Sequence, residues 1–91
     1  MNAYTVTVTG EKTEVAPKNG KDFSLAEMYE HIGADMVEIV MTKDRRHYIV
    51  LDENGKLKPH ETNQEATRLY QYGHADYIAG KVLICPIKMI K

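Results

Sequence analysis

The sequence predicts one small α+β domain: a mixed, mainly antiparallel sheet with two short helices, in the order ββαβββαβ. Three observations lead to it. Tyr4, Val6 and Val8 alternate with Thr5, Thr7 and Thr9 at the period of a half-buried strand. Ser24 with Glu27, and Thr62 with Glu65, stand at the spacing of helix-starting capping boxes. Asn54-Gly55 lies between two short strand-like runs, the strongest short-range signal for a hairpin.

Taken in order, the first strand turns at Gly10-Glu11 and returns through Lys12 to Ala16, where Pro17 stops the pairing. After the polar loop 17–22, Ser24 begins a helix with Glu27 completing its cap and with Phe23 and Met28 placed as a hydrophobic staple. Leu25, Met28, Tyr29 and Ile32 form one apolar stripe, and Gly33 supplies the stop. The run from Met36 to Met41 is apolar apart from Glu38, which predicts a central strand covered on both faces, or on one by a partner. Lys43 to Arg46 turn the chain into a strand from His47 to Leu51. Asn54-Gly55 reverses it into a short return strand at Lys56 to Lys58, broken by Pro59. Thr62 then caps a second helix whose inner face is Ala66, Leu69 and Tyr70 and which Gly73 ends. The last strand spans Lys81 to Ile87, with Pro86 putting its far end at an edge.

Ninety-one residues supply one core and not two, so residues 1–91 are expected to form a single domain. A composition of 43% hydrophobic and 27% charged residues argues against a disordered chain. Twelve basic residues against thirteen acidic ones leave no global field to draw the protein to nucleic acid or to an anionic membrane. No stretch approaches the length of a membrane span, and a cytoplasmic location in a bacterial host is expected. Cys85, the single cysteine, sits in an apolar run and reads as a buried small residue.

Residue types capable of chemistry are present without the spacing that chemistry needs. Asp52 to Gly55 has the composition of part of a calcium loop, but its glycine comes fourth and the twelfth position is Asn63, so it reads as a turn. His31, His47, His60 and His74 show no paired metal-ligand spacing, and no metal or cofactor is expected. No nucleophile motif or glycine-rich phosphate loop occurs, which weighs against an enzyme. The densest basic cluster is Lys43, Arg45, Arg46 and His47 at a hairpin tip beside Tyr48, where guanidinium forks and a ring suit a phosphate, a base or an acidic protein surface. Tyr72 and His74, beyond the second helix, are candidates for a contact surface.

The patterns Leu25-x-x-Met28-Tyr29-Glu30-His31-Ile32-Gly33, Asp52-Glu53-Asn54-Gly55-Lys56-Leu57 and Asn63-x-x-Ala66-Thr67, with Ile78-Ala79-Gly80-Lys81-Val82, resemble a domain-of-unknown-function family of small phage, plasmid and other mobile-element proteins. The resemblance covers roughly residues 23–85, and the link 58–62 departs from it. It implies a genomic setting and a fold, and no catalytic residue. In that setting a small chain without catalytic motifs is expected to bind something of the host, such as a defence component that it inhibits. The alternatives are sequestration of a nucleotide-like signal and, third, a small hydrolase. The residues expected to touch a partner or ligand are those the fold does not require: Arg45, Arg46, Tyr48, His60, Arg68, Tyr72 and His74. A homodimer is expected under either binding reading, through the edge at Lys56 to Lys58 or the strand Met36 to Met41.

Overall fold

A computed structural model describes residues 2–90. Five strands, β1 (Ala3–Val6), β2 (Lys12–Val15), β3 (Val37–Met41), β4 (His47–Asp52) and β5 (Val82–Pro86), form one sheet in the order β2-β1-β5-β4-β3. Every pairing is antiparallel. Two helices, α1 (Leu25–Ile32) and α2 (Gln64–Leu69), complete the α+β fold.

The helices lie on opposite faces of the sheet, and the strand period divides the core between them. In β5, Leu83 and Cys85 pack with Met28 and Ile32 of α1, while Val82 and Ile84 pack with Ala66 of α2. In β4, Tyr48 and Val50 belong to the α1 side, and Ile49 and Leu51 to the α2 side. β5 is buried at every position, so it occupies the middle of the sheet although it comes last in the chain. Pro86 therefore ends a central strand, opposite His47, and does not mark a sheet edge.

α1 starts and stops where local chemistry dictates. The Ser24 side chain accepts from the Glu27 N–H at 3.1 Å, and the Glu27 carboxylate accepts from the Ser24 N–H at 2.9 Å. The same carboxylate takes the Lys18 N–H at 2.9 Å, which ties the loop before the helix to its first turn. The Ser24 and Lys18 N–H groups hold Glu27 below its ordinary pKa. Gly33 ends the helix in the left-handed region at φ 68°, with its N–H on the Tyr29 carbonyl. Leu25 is exposed and is not part of the buried stripe, because the first turn faces the 17–23 loop and buries Glu27 instead.

Further expectations are corrected. The strand run beginning at Tyr4 stops at Val6. The turn that follows is not the two-residue Gly10-Glu11 type: the Thr7 N–H bonds the Glu11 carbonyl and the Gly10 N–H bonds the Thr7 carbonyl, closing a longer loop. The run ending at Met41 forms an edge strand, not a central one, because β5 takes the centre.

No strand forms at Lys56 to Lys58. Gly55–Leu57 is a 3-10 turn, and the middle of the chain reads ββ where βββ was expected. A type I′ turn needs positive φ at both central residues and a type II′ turn at the first, yet Asn54 has φ −101° and ψ 17°. The Asp52 carboxylate holds the Asn54 N–H at 2.9 Å and the Lys58 ammonium at 2.8 Å, and this coils the segment. Gly55 is needed for a different reason. A Cβ there would stand 3.1 Å from the Ala79 carbonyl oxygen.

The cap of α2 is Asn63, not Thr62. The Asn63 side-chain oxygen accepts from the Ala66 N–H at 3.0 Å, while its amide donates to the carbonyls of Val6 at 3.0 Å and Gly80 at 2.9 Å. A threonine hydroxyl cannot make all three bonds. Asn63 is fully buried and joins α2 to the ends of β1 and β5, and Thr62 pairs with Ala79 in an isolated bridge.

Candidate functional site

A wide concavity lies on the α2 side of the sheet. It is a cleft of about 370 Å3 between α2, the β3–β4 tip and the cross-strand pair Tyr4 and Ile84 of β1 and β5. Its floor is Ile84 and Leu69, one wall is the Tyr4 ring, and Arg68 and Lys43 stand at its rim with Thr42, Asp44 and His47.

The tip is organised by Asp44. Its carboxylate accepts from the Thr42 hydroxyl and from the Arg46 N–H at 2.8 Å, and lies 3.2 Å from His47 Nδ1. The Thr42 hydroxyl first, then the Arg46 N–H and His47, hold this carboxyl below its ordinary range against a desolvation cost. To close the tip, Arg45 adopts φ 59°, a region few residues other than glycine enter. The Lys43 N–H donates to the Leu69 carbonyl at 2.8 Å, so tip and helix are joined across the cleft.

On the helix side, Arg68 meets Glu65 with two bonds of 2.9 and 2.8 Å, and the Lys12 ammonium approaches the same carboxylate at 3.3 Å. Arg68 first, and Lys12 with it, draw the Glu65 pKa down from 4.5 to about 2. Lys12 also sits 5.5 Å from the centre of the Tyr4 ring. Two cations, Lys43 and Arg68, thus line the cleft with the Asp44 carboxylate, the Tyr4 ring and the apolar Leu69 and Ile84, while Lys12 and Arg68 share Glu65 beside it. Such a place suits an anion that carries a ring.

The contacts do not form a hydroxyl–imidazole–carboxylate relay on Thr42. A nucleophilic hydroxyl needs the imidazole as its neighbour, with the carboxylate behind. Here the carboxylate of Asp44 stands between Thr42 and His47, and the Thr42 hydroxyl lies against that carboxylate and the His47 carbonyl. Cys85 is enclosed in the α1-side core, where burial pushes its thiol up to about 12. Among the described residues no group of three or more His, Cys, Asp or Glu is placed to hold a metal ion, and no helix is long and apolar enough to cross a membrane.

The residues expected to contact a partner do not converge. Arg68 alone lines the cleft. Arg45 and Arg46 are exposed on the same tip but outside the cleft, and make no ion pair among the described residues. Tyr48 is half-buried on the opposite face, against the α1-side core. His60 lies 3.6 Å from the buried Asp52, beside Lys58. There the Lys58 and Asn54 bonds outweigh a large desolvation cost and keep the Asp52 carboxyl low.

Tyr72 and His74 belong to a separate region. Tyr72 meets Tyr70 edge-on at 5.7 Å, and Tyr70 lines a smaller pocket of about 100 Å3 with Glu38, Asp52, Lys56, Asp76 and Tyr77. Lys56 pairs with Asp76 and stands 4.5 Å from the centre of the Tyr77 ring. Tyr4 is one of several cleft residues absent from the expected set. Its alternation within the first strand is visible in sequence, but its neighbours across β5 are not.

No curated protein and no solved structure matches the chain. The model of one protein family does, over residues 1–88, and the chain belongs to that family, the domain of unknown function DUF3846.

Proposed function

We propose that this protein is a non-catalytic binding protein of a mobile element, acting in the cytoplasm of a bacterial host, and that the α2-side cleft sequesters a small nucleotide-like anion. The observation that carries the reading is the cleft itself: about 370 Å3, walled by Tyr4, floored by Ile84 and Leu69, and rimmed by Lys43 and Arg68. The volume suits one ring system with an anionic group, the ring lying on the apolar and aromatic surface and the anion meeting the rim cations. The contact order around Thr42 favours retention of the ligand over its hydrolysis.

Native mass spectrometry of freshly purified protein, followed by calorimetric titration with nucleoside mono- and diphosphates, tests it. A retained or micromolar ligand is expected, with affinity falling at least tenfold in Lys43→Ala and in Arg68→Ala. Absence of binding across the panel overturns the ligand assignment, and turnover of any bound nucleotide overturns the non-catalytic one.

A second reading, inhibition of a host defence protein, is favoured by the exposed guanidinium groups of Arg45 and Arg46 and by Tyr72 at 55% exposure. A tagged pull-down that retains a stoichiometric protein, lost in the Arg45→Ala/Arg46→Ala double variant, supports this second reading.

A further inference from the structure

β3 carries a strand pairing that the protein begins and does not finish. The Thr42 N–H bonds the His47 carbonyl and the Glu53 N–H bonds the Met36 carbonyl, so the backbone groups of even-numbered residues point inward to β4. Those of Val37, Ile39 and Met41 point outward, away from the sheet. At the Met41 end the chain covers its own edge: the Gln71 N–H donates to the Met41 carbonyl, the Lys43 N–H donates to the Leu69 carbonyl, and Thr42 and Tyr70 form an antiparallel bridge. Beyond Tyr72 the chain turns away, with the Gly73 N–H on the Tyr70 carbonyl and the Asp76 N–H on the Tyr72 carbonyl. Val37 and Ile39 are left with no bond to another element among the described residues.

The surroundings of this open stretch state what would complete it. On the α2 side, Glu38 projects beside the small pocket lined by Asp52, Glu53, Lys56 and Asp76; Asp52 is paired with Lys58 and Asp76 with Lys56, which leaves Glu38 and Glu53 without an ion pair among the described residues. On the other side lie Val37 and Ile39, the latter 39% exposed. An added strand placed opposite Glu38 would set one side chain against that carboxylate and its acidic neighbours, and the two flanking side chains against Val37 and Ile39. A second copy of this chain meets the requirement poorly where it uses both open residues. The register in which Val37 and Ile39 of both copies exchange bonds sets Glu38 directly opposite its own counterpart.

We propose that the β3 edge is a docking site for an extended segment of a partner protein with the pattern apolar–basic–apolar, added as a strand beside Val37–Ile39 in continuation of Leu69–Gln71. Backbone bonds supply the attachment, and Glu38 with the acidic pocket selects the basic residue. The site is separate from the α2-side cleft and stands or falls independently of it.

The probe is a blocked five-residue peptide, threonine-valine-lysine-valine-threonine, titrated against the isotope-labelled protein by NMR. The expected result is movement of the Val37 and Ile39 amide signals, with binding weakened at least tenfold when the peptide lysine is replaced by glutamate and abolished when both peptide valines are N-methylated. Glu38→Lys should reverse the preference between the two charged peptides. Ile39→Pro removes an outward N–H without touching the bonds to β4 and should abolish binding. Should that variant fail to fold, Glu38→Lys on the exposed face carries the test.

Three results overturn the proposal: no binding at millimolar peptide, equal binding of the two charged peptides, or signal changes confined to other surfaces. A light-scattering dimer with the Val37 and Ile39 amides protected from exchange would make a second copy the occupant and would also overturn it.

Discussion

Replacing Asn63 with alanine removes three hydrogen bonds at a site with no exposure: the cap to Ala66 and the donations to Val6 and Gly80. Each partner left unsatisfied in the interior costs on the order of 1–3 kcal/mol. Loss of a helix cap is typically about 1 kcal/mol. Allowing for partial relaxation, the Asn63→Ala variant should be about 3–5 kcal/mol less stable, a large share of the roughly 5–15 kcal/mol that holds a domain of this kind. For this chain length the melting temperature should fall by roughly 12–40 °C.

Asn63→Asp separates the cap from the donors. It keeps an acceptor for Ala66 but sets a carboxylate against two carbonyls, and should be at least as damaging at neutral pH while recovering partly in acid. Thr62→Ala should stay within about 0.5 kcal/mol of the parent. Urea unfolding followed by circular dichroism measures all three variants. A loss below about 1 kcal/mol in Asn63→Ala, or an equal loss in Thr62→Ala, would refute the assignment of Asn63 as the joint between α2, β1 and β5.

Three further outcomes are expected. Glu65 is paired in the folded state with a pKa near 2, against 4.5 when free, so its contribution to stability is complete above about pH 4.5 and is lost as the pH falls toward 2. Urea midpoints measured from pH 6 to pH 2 should decline less steeply over that window in Glu65→Gln. Arg45 at φ 59° carries backbone strain of about 1 kcal/mol, so Arg45→Gly should equal or exceed the parent in urea unfolding and Arg45→Val should fall below it. The Cys85 thiol, buried and shifted to about 12, should react with an aromatic disulfide reagent only at the rate of global unfolding, and a fast phase in native buffer would contradict its enclosure.

Elements set by near neighbours were legible in the sequence. α1 is the clearest case, since Ser24, Glu27 and Gly33 act within one or two turns of each other and their bonds form as the spacing requires. The α2 cap lay one residue off because Thr62 and Asn63 are both good caps, and the choice between them rests on carbonyls at Val6 and Gly80 that are remote in the chain. The hairpin expected at Asn54-Gly55 was lost to Asp52, Lys58 and the close approach of Ala79, which are tertiary facts. The apolar run of β3 did not reveal that it is an edge, because sheet position depends on where β5 inserts. For the cleft, Arg68 and the basic tip are visible in the sequence, yet that His47 lines the cleft while its neighbour Tyr48 packs on the opposite face is not. Adjacent strand residues point to opposite faces, and which parity faces α2 is decided by the whole sheet.

That parity has a consequence for how the protein varies. Ile84 and Ile49 serve the α2 layer, while Leu83, Cys85 and Val50 on the same strands serve the α1 layer. A change of side chain on one face reaches the other only through the backbone the two share. The central strands thus act as a partition: α1 and its capped, apolar contacts can anchor the fold while the cleft lining at Tyr4, Leu69 and Ile84 is free to change, as the proposed ligand-binding role would require. Variation among related chains should therefore be greater on the α2 side of β4 and β5 than on the α1 side, residue by alternate residue.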